Sequence, residues 1–315
     1  MDKIFFDELK LTQPKYNLDV GSGSHAKQTA DMLVGIENIL LKEKPNVVLV
    51  EGDTNTVLAG SLAASKLHVP VGHVEAGLRS YDRSMPEEIN RILSDHISDY
   101  LFAPTEAAKN NLLLEGINKN KIFVTGNTVM DSVFQHIKLA EDKSDILKRL
   151  NLAKGKYFLL TAHRQENVDD KSRLKGIFDG LKLIYEEYHL PIIYPIHPRT
   201  KKRMEEFGLK KLECVLLIEP VGFLDFLELE ANARLVLTDS GGVQEETCIL
   251  KVPCVTLRDN TERPETIDVG SNMLAGIIPE KISEAVRRMI SKKPDWKNPF
   301  GDGKAAVRIL SVLKA

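Results

Sequence analysis

Short apolar runs recur along the chain, and most are continuously apolar rather than alternating. In the first half they are NVVLVEGD, VPVGHVEA, YLFAPT and KIFVTGN. In the second half they are YFLLTAH, PIIYPIH, CVLLIEP, RLVLTDSGG, PCVTLRD and NMLAGII. Continuous apolarity fits strands covered on both faces, as in a parallel sheet. The segments between them carry helical spacing, with Met32, Ile36, Ile39 and Leu40 on one stripe. Alternating strand and helix predicts a doubly wound α/β protein, and so many strands require two parallel sheets. The charged segment 138–156 has no strand signal and marks a boundary. An N-terminal domain over 1–145 and a second domain over 146–300 are expected. Residues 301–315 are expected to end in a helix that could pack back across either domain, the N-terminal one among them.

Composition narrows the class. The chain has 315 residues, 43% hydrophobic and 28% charged, with net charge -2. No basic excess points to nucleic acid, no apolar run is long enough to span a bilayer, and the first residues show no charged-then-apolar signal-peptide pattern. Cys214, Cys248 and Cys254 are odd in number and lack paired metal-ligand spacing, so buried reduced thiols of a cytoplasmic protein are expected, with no metal.

In doubly wound folds ligands sit beyond the carboxyl ends of the strands. Asp53 and Glu75 close two strands of the first half; His163, His197 and Asp239 stand at strand ends of the second. Asp53 can be read as the cap of a helix starting at Thr54. His73 and His197 read as hydrogen-bonded structural histidines. Glu75 is flanked by PVGHV and AGL, where a carboxylate needs a partner or a ligand to offset its desolvation. Ser84-Met85-Pro86-Glu87 has the S-x-x-E form of a capping box, and Glu87 stands four residues before Arg91. By spacing alone Glu87 is a cap. TDSGGVQEE places two glycines between a strand and a helix, an anion site of free backbone N–H groups. Glu246, about one turn inside that helix, could accept bonds from a diol, which suggests a nucleotide diphosphate and its ribose. Arg258 and Arg263 stand in the next loop, as diphosphate partners or as members of a solvated, salt-bridged loop.

Taken together, EGDTNT, HVEAGLRS, PEEINR, GNTVMD, TAHRQEN, TDSGGVQEE and RDNTERPE resemble the non-hydrolysing UDP-N-acetylglucosamine 2-epimerases from about Lys3 to the C-terminus. The resemblance implies two Rossmann-like domains in the GT-B arrangement, with the active site between them. It implies interconversion of UDP-N-acetylglucosamine and UDP-N-acetylmannosamine without a cofactor, in a cytoplasmic homodimer. It implies Asp53, Glu75 and Glu87 as acid/base groups, with His163 as a further catalytic or diphosphate-contacting group. Ser240, Gly241 and Gly242 become the diphosphate cradle, Glu246 the ribose ligand, Arg263 a nucleotide-site arginine, and Phe226 a neighbour of the uracil. Gln28, Glu87 and Arg164 resemble an activator subsite found in some bacterial members.

The family opens with a strand and a G-T-R-P-E loop followed by a lysine, and this sequence has no such motif. About one strand–helix–strand unit of the N-terminal domain is absent, so Met1 is expected to be an internal methionine of a longer protein. Three other readings share the motifs in part: a GT-B glycosyltransferase, a hydrolysing epimerase, and an inactive sugar-nucleotide-binding remnant.

Overall fold

A computed structural model describes residue 6 and residues 8–314. Met1, Lys3 and Ala315, which figure in the expected start and end of the chain, lie outside the described residues. The chain divides into two compact units: residues 13–131 with 300–315, and residues 1–12 with 132–299.

The first unit runs α1 (His25–Glu43), β1 (Val48–Glu51), α2 (Asn55–Lys66), β2 (Val71–Val74), α3 (Pro86–Ile97), β3 (Tyr100–Ala103), α4 (Glu106–Leu114) and β4 (Ile122–Val124). Its four strands are parallel and lie side by side in chain order. Leu101 and Ala103 pack beneath Ala108 and Leu112 of α4. Val74 and Phe102 point the other way, onto Ile309 of the final helix. This period of two, buried on both faces, explains the unbroken apolar runs. β1 is an edge among the described strands, and Leu49 there is exposed.

The chain passes to the second unit inside α5 (Thr128–Lys143). The structural division therefore falls at 131/132, ahead of the residue 145 boundary expected from composition. The middle of a continuous helix carries no compositional mark. The second unit continues with α6 (Ile146–Arg149), β5 (Phe158–Thr161), α7 (Gln165–Val168), α8 (Lys171–Tyr188), β6 (Ile192–Pro195), α9 (Pro198–Glu206), β7 (Val215–Ile218) and α10 (Phe223–Ala231). It ends with β8 (Leu235–Thr238), α11 (Gly241–Leu250), β9 (Cys254–Thr256), α12 (Pro264–Asp268), β10 (Asn272–Leu274) and α13 (Pro279–Ile290). Its parallel sheet has the order β7-β6-β5-β8-β9-β10, which is the doubly wound 3-2-1-4-5-6 pattern. Phe158 and Leu160 face Ile177, Leu181 and Val286, whereas Leu159 and Val236 face Leu229 and Val243. Glu8 accepts from the Phe223 and Leu224 amides (2.8 and 3.1 Å), capping α10 and tying the N-terminal residues to this unit.

The last helix, α14 (Ala305–Lys314), belongs to the first unit. Asp131 fixes its start by accepting from the Ala305 and Ala306 amides at 3.0 and 3.1 Å. Cys248 and Cys254 are buried and Cys214 half-buried, all with free thiols. No helix among the described residues is long and apolar enough to cross a membrane.

Candidate functional site

Each unit gathers polar groups at the carboxyl ends of its strands. In the first, β1 and β2 run in register, with Val50 opposite His73 and Glu51 opposite Val74. The chain leaving each strand therefore brings Asp53 and Glu75 to one edge of the sheet. Glu75 adopts a left-handed conformation (φ 69°), which costs a non-glycine residue on the order of 1 kcal/mol or more. A Cβ placed on Gly52 would lie 3.8 Å from Glu75 Oε2, so that carboxyl lies over the turn leading to Asp53.

Asp53 does not cap α2. Thr54 occupies the cap position without a side-chain bond, and Asp53 Oδ2 accepts from Arg91 at 2.6 and 3.1 Å. Arg91 is buried, and its remaining arm donates to Glu88 Oε2 at 2.8 Å. Glu88 is also buried and accepts from Ser80 N, Ser80 Oγ and Tyr81 N at 3.0, 3.1 and 2.9 Å. The expected capping box does not form either. Met85 is the cap residue and Pro86 the first helical residue, while Ser84 turns back to Asp82. Ser84 thus stands one residue too early, and Arg91 pairs with Glu88 at i−3 rather than with Glu87 at i−4. Glu87 is left half-buried in the first turn of α3, with no hydrogen bond or ion pair to the described residues.

Behind these carboxyls lies a closed charge network. His73 and Asp95 are fully buried, with Nδ1 and Oδ1 2.7 Å apart. Asp95 Oδ2 receives Gly77 N at 3.1 Å and stands 2.7 Å from Arg79, whose guanidinium also holds Glu115. Burial alone would raise the Asp95 carboxyl, but the charges of His73 and Arg79 hold it below the usual range. Burial alone would lower His73, and Asp95 outweighs it, so the imidazole is raised. Gly77 (φ 84°) admits no side chain, since a Cβ would sit 2.2 Å from Ala108 O. Gln28 donates to Gly21 O and accepts from Asn55, both at 3.2 Å, at the wall of a cavity of about 390 Å³.

In the second unit β5 and β8 are neighbours at the point where the strand order reverses, with Thr161 opposite Thr238. That is where doubly wound sheets bind ligands. His163 and Ser240 leave these two strands and line a cavity of about 350 Å³ with Thr161, His197, Val221 and Phe226. Asp239 is buried and anchors the loop opposite, accepting from the His163 and Arg164 amides at 3.0 Å and from Asn167 Nδ2 at 3.2 Å. The His163 ring stays about half exposed, with Nδ1 3.3 Å from Asp239.

α11 starts at Gly241 with Ser240 as its cap residue, and no side chain occupies the cap. The first-turn amides of a helix have no partner within it, so Gly241, Gly242 and Val243 present donors to an anion. A Cβ on Gly241 would come within 2.5 Å of Glu262 Oε1. Glu262 is buried and held by Arg258 (2.7 Å) and Arg164 (3.2 Å), so it has little room to yield. Arg263 is buried beneath the same turn, its Nε 2.5 Å from Glu245. Arg258 is buried as well, so this is an ion-paired support for the glycine turn rather than a solvated loop. Glu246 is half-buried; desolvation raises its carboxyl. Its neighbour Glu230 is fully buried and raised well above the usual range, by burial first and then by Glu246.

Three residues carry more than their sequence reading assigned. His197 lines the cavity and caps α9, its Nδ1 accepting from Arg199 N at 3.2 Å. Burial, then His163 and Arg199, lowers its pKa, which suits an acceptor nitrogen. Asp239 reads only as a strand end and His73 only as a core histidine, because their partners stand far away in sequence.

The family model described as UDP-N-acetylglucosamine 2-epimerase matches residues 1–314. A curated UDP-N-acetylglucosamine 2-epimerase of Methanocaldococcus jannaschii is 62% identical over 99% of this chain and 87% of its own. A UDP-2,3-diacetamido-2,3-dideoxy-D-glucuronate 2-epimerase of Pseudomonas aeruginosa is 45% identical over 99% of this chain and 87% of its own. A crystal structure of the Methanocaldococcus jannaschii enzyme, in complex with UDP-GlcNAc and UDP, superposes with a TM-score of 0.95, covering 100% of this chain and 88% of that one. The chain belongs to the UDP-N-acetylglucosamine 2-epimerase family.

Proposed function

We propose that this chain catalyses the reversible epimerisation at C2 of UDP-N-acetylglucosamine to UDP-N-acetylmannosamine. The C2 hydrogen of the sugar is not next to a carbonyl, so direct abstraction is unfavourable. Cleaving the C1–O bond to UDP first gives C1 oxocarbenium character and acidifies that hydrogen. Loss of the proton yields a 2-acetamidoglucal and UDP. Re-addition of UDP to C1, with a proton delivered to the opposite face of C2, inverts the centre and needs no redox cofactor.

The observation that carries this reading is the convergence of Asp53 and Glu75 from two register-paired strands, with Glu87 on the following helix making no hydrogen bond or ion pair to the described residues. Such a route requires carboxyl groups to take and return protons. Arg91 fixes Asp53 in one orientation, and the left-handed backbone at Glu75 sets the direction in which that side chain leaves the strand end. Ser240, Gly241 and Gly242 receive the diphosphate on the amides of α11, which stabilises the charge that develops on departing UDP. His163, on the opposite strand end, contacts that diphosphate or its sugar. Glu246 takes the ribose hydroxyls, and Phe226 borders the base. Arg263 acts on the nucleotide through the turn it supports. The enzyme works as a cytoplasmic homodimer.

A glycosyltransferase sharing the nucleotide half has no use for paired carboxylates around C2. Both relatives named above are 2-epimerases of UDP-linked acetamido sugars, which supports chemistry at that carbon. Incubation with UDP-N-acetylglucosamine, followed by proton NMR, tests the reading. UDP-N-acetylmannosamine at a fixed equilibrium ratio is expected from either direction. Free N-acetylmannosamine with stoichiometric UDP would identify a hydrolysing enzyme instead.

A further inference from the structure

His73 takes no part in the reaction above, yet it is a buried titratable group that touches the turn between two proposed proton-transfer carboxyls. Its ring is enclosed completely, and both nitrogens meet acceptors. Nε2 stands 2.8 Å from the carbonyl oxygen of Gly52, and Nδ1 stands 2.7 Å from Asp95 Oδ1. A carbonyl can only accept. Asp95 is bound as a carboxylate, because Oδ2 already receives the Gly77 amide and lies 2.7 Å from the Arg79 guanidinium. A neutral ring carries one N–H and would set a bare nitrogen against one of these oxygens, a costly arrangement in a site closed to water. Both bonds are satisfied only when both nitrogens are protonated.

The position of this charge has consequences. Gly52 is left-handed (φ 84°), and its carbonyl begins the peptide that carries Asp53. The same short segment is held from the other side by Asn90, which donates to Asp53 O at 2.9 Å, and by Arg91 on the Asp53 carboxyl. Glu75 is two residues beyond His73, lies over Gly52, and attracts the imidazole electrostatically. The charged groups facing the ring are therefore Asp95 from α3, Glu75 from the end of β2, and Arg79 beyond Asp95, itself balanced by Glu115.

We propose that His73 is a positioning residue held as a buried imidazolium, which fixes the turn presenting Asp53 and keeps one positive charge behind Asp53 and Glu75. The role of those two carboxyls rests on the reading above; the protonation of His73 does not. As the carboxyls exchange protons with C2, the imidazolium exchanges none. It supplies a constant field and a constant geometry.

Two measurements decide this. The first uses the full chain labelled with 15N-histidine, with His73 identified by nuclear Overhauser contacts to Gly52 and the Asp95 segment. At about pH 8, where an ordinary histidine of pKa ~6.5 is neutral, both His73 ring nitrogens should carry slowly exchanging protons. A single protonated nitrogen at that pH overturns the proposal without reference to any reaction. The second compares kcat with UDP affinity. His73→Gln has its N–H donors on a single nitrogen and no charge, so it cannot serve both Gly52 O and Asp95 as the two ring nitrogens do, and kcat should fall at least 100-fold while UDP affinity stays within threefold. Asp95→Asn removes the charge that holds the ring protonated, so its kcat should acquire a decline on the alkaline side absent from wild type. A residue that served stability alone would lower the unfolding midpoint and add no such step. Failure of wild-type protein to exchange hydrogen at C2 would sink the epimerase reading and leave the NMR result standing.

Discussion

Replacing Arg91 by methionine removes the cation that Asp53 and Glu88 share. Arg91 and Glu88 have side-chain exposures of only 2% and 1%, whereas Asp53 retains 28%. Deleting one partner of a buried pair typically costs about 3–5 kcal/mol, because the other charge stays buried and uncompensated. Glu88 keeps three donors from Ser80 and Tyr81, and Asp53 can turn to water, so the low end, about 3 kcal/mol, is expected. With a urea dependence of about 2 kcal/mol per molar, the midpoint should fall by roughly 1.5 M. The two units need not unfold together, so the transition is followed by hydrogen exchange in a peptide covering β2, which reports the first unit. Methionine fills much of the space left by the arginine stem, so packing loss is minor. Arg91→Lys keeps the charge without the fork and should fall between methionine and wild type. A β2 midpoint for Arg91→Met equal to wild type would refute the reasoning and make the buried triad energetically idle.

Other outcomes follow from the same geometry. Gly241→Ala sets a methyl group within 2.5 Å of the braced Glu262, which disturbs the first turn of α11; UDP affinity should drop about tenfold or more, close to 1.4 kcal/mol, by calorimetry. Asp53→Asn and Glu75→Gln should lose at least 100-fold in kcat with UDP affinity nearly unchanged, and equal loss of both would point to a binding role. Glu230 and Glu246 are both raised above the ordinary carboxyl value of 4.5, so the folded state holds the extra proton. Their contribution is complete below 4.5 and declines as pH rises through the raised values. Glu230→Gln keeps the shape and removes the ionisation, so the fall in Tm between about pH 5 and 8 should be smaller than in wild type. An identical fall in both proteins would show that the buried pair does not titrate in that range.

The strands and their parallel grouping were legible because each is buried on two faces, which leaves an unbroken apolar run such as FLLT in β5 or LVLT in β8. The glycine turn before α11 was legible for a local reason as well: strand, turn and helix start are contiguous. Local spacing failed where long-range charge pairing decides. Asp53 and Glu88 are joined by Arg91, so neither the cap at Asp53 nor the box at Ser84 is formed. Position in the chain did not reveal that Asp131 caps α14 or that Glu8 caps α10, since those partners are separated by most of the sequence. His73 shows the same limit. Its neighbours on either side are apolar, and only the fold brings Gly52 O and Asp95 to its two nitrogens.

The central claim is proton exchange at C2 by elimination and re-addition of UDP. It is tested most directly by incubating the protein with UDP-N-acetylglucosamine in heavy water and following the C2 position by NMR. Deuterium should enter C2 of both UDP-N-acetylglucosamine and UDP-N-acetylmannosamine as they interconvert. Interconversion with the C2 hydrogen retained would contradict the mechanism, and no interconversion would contradict the function.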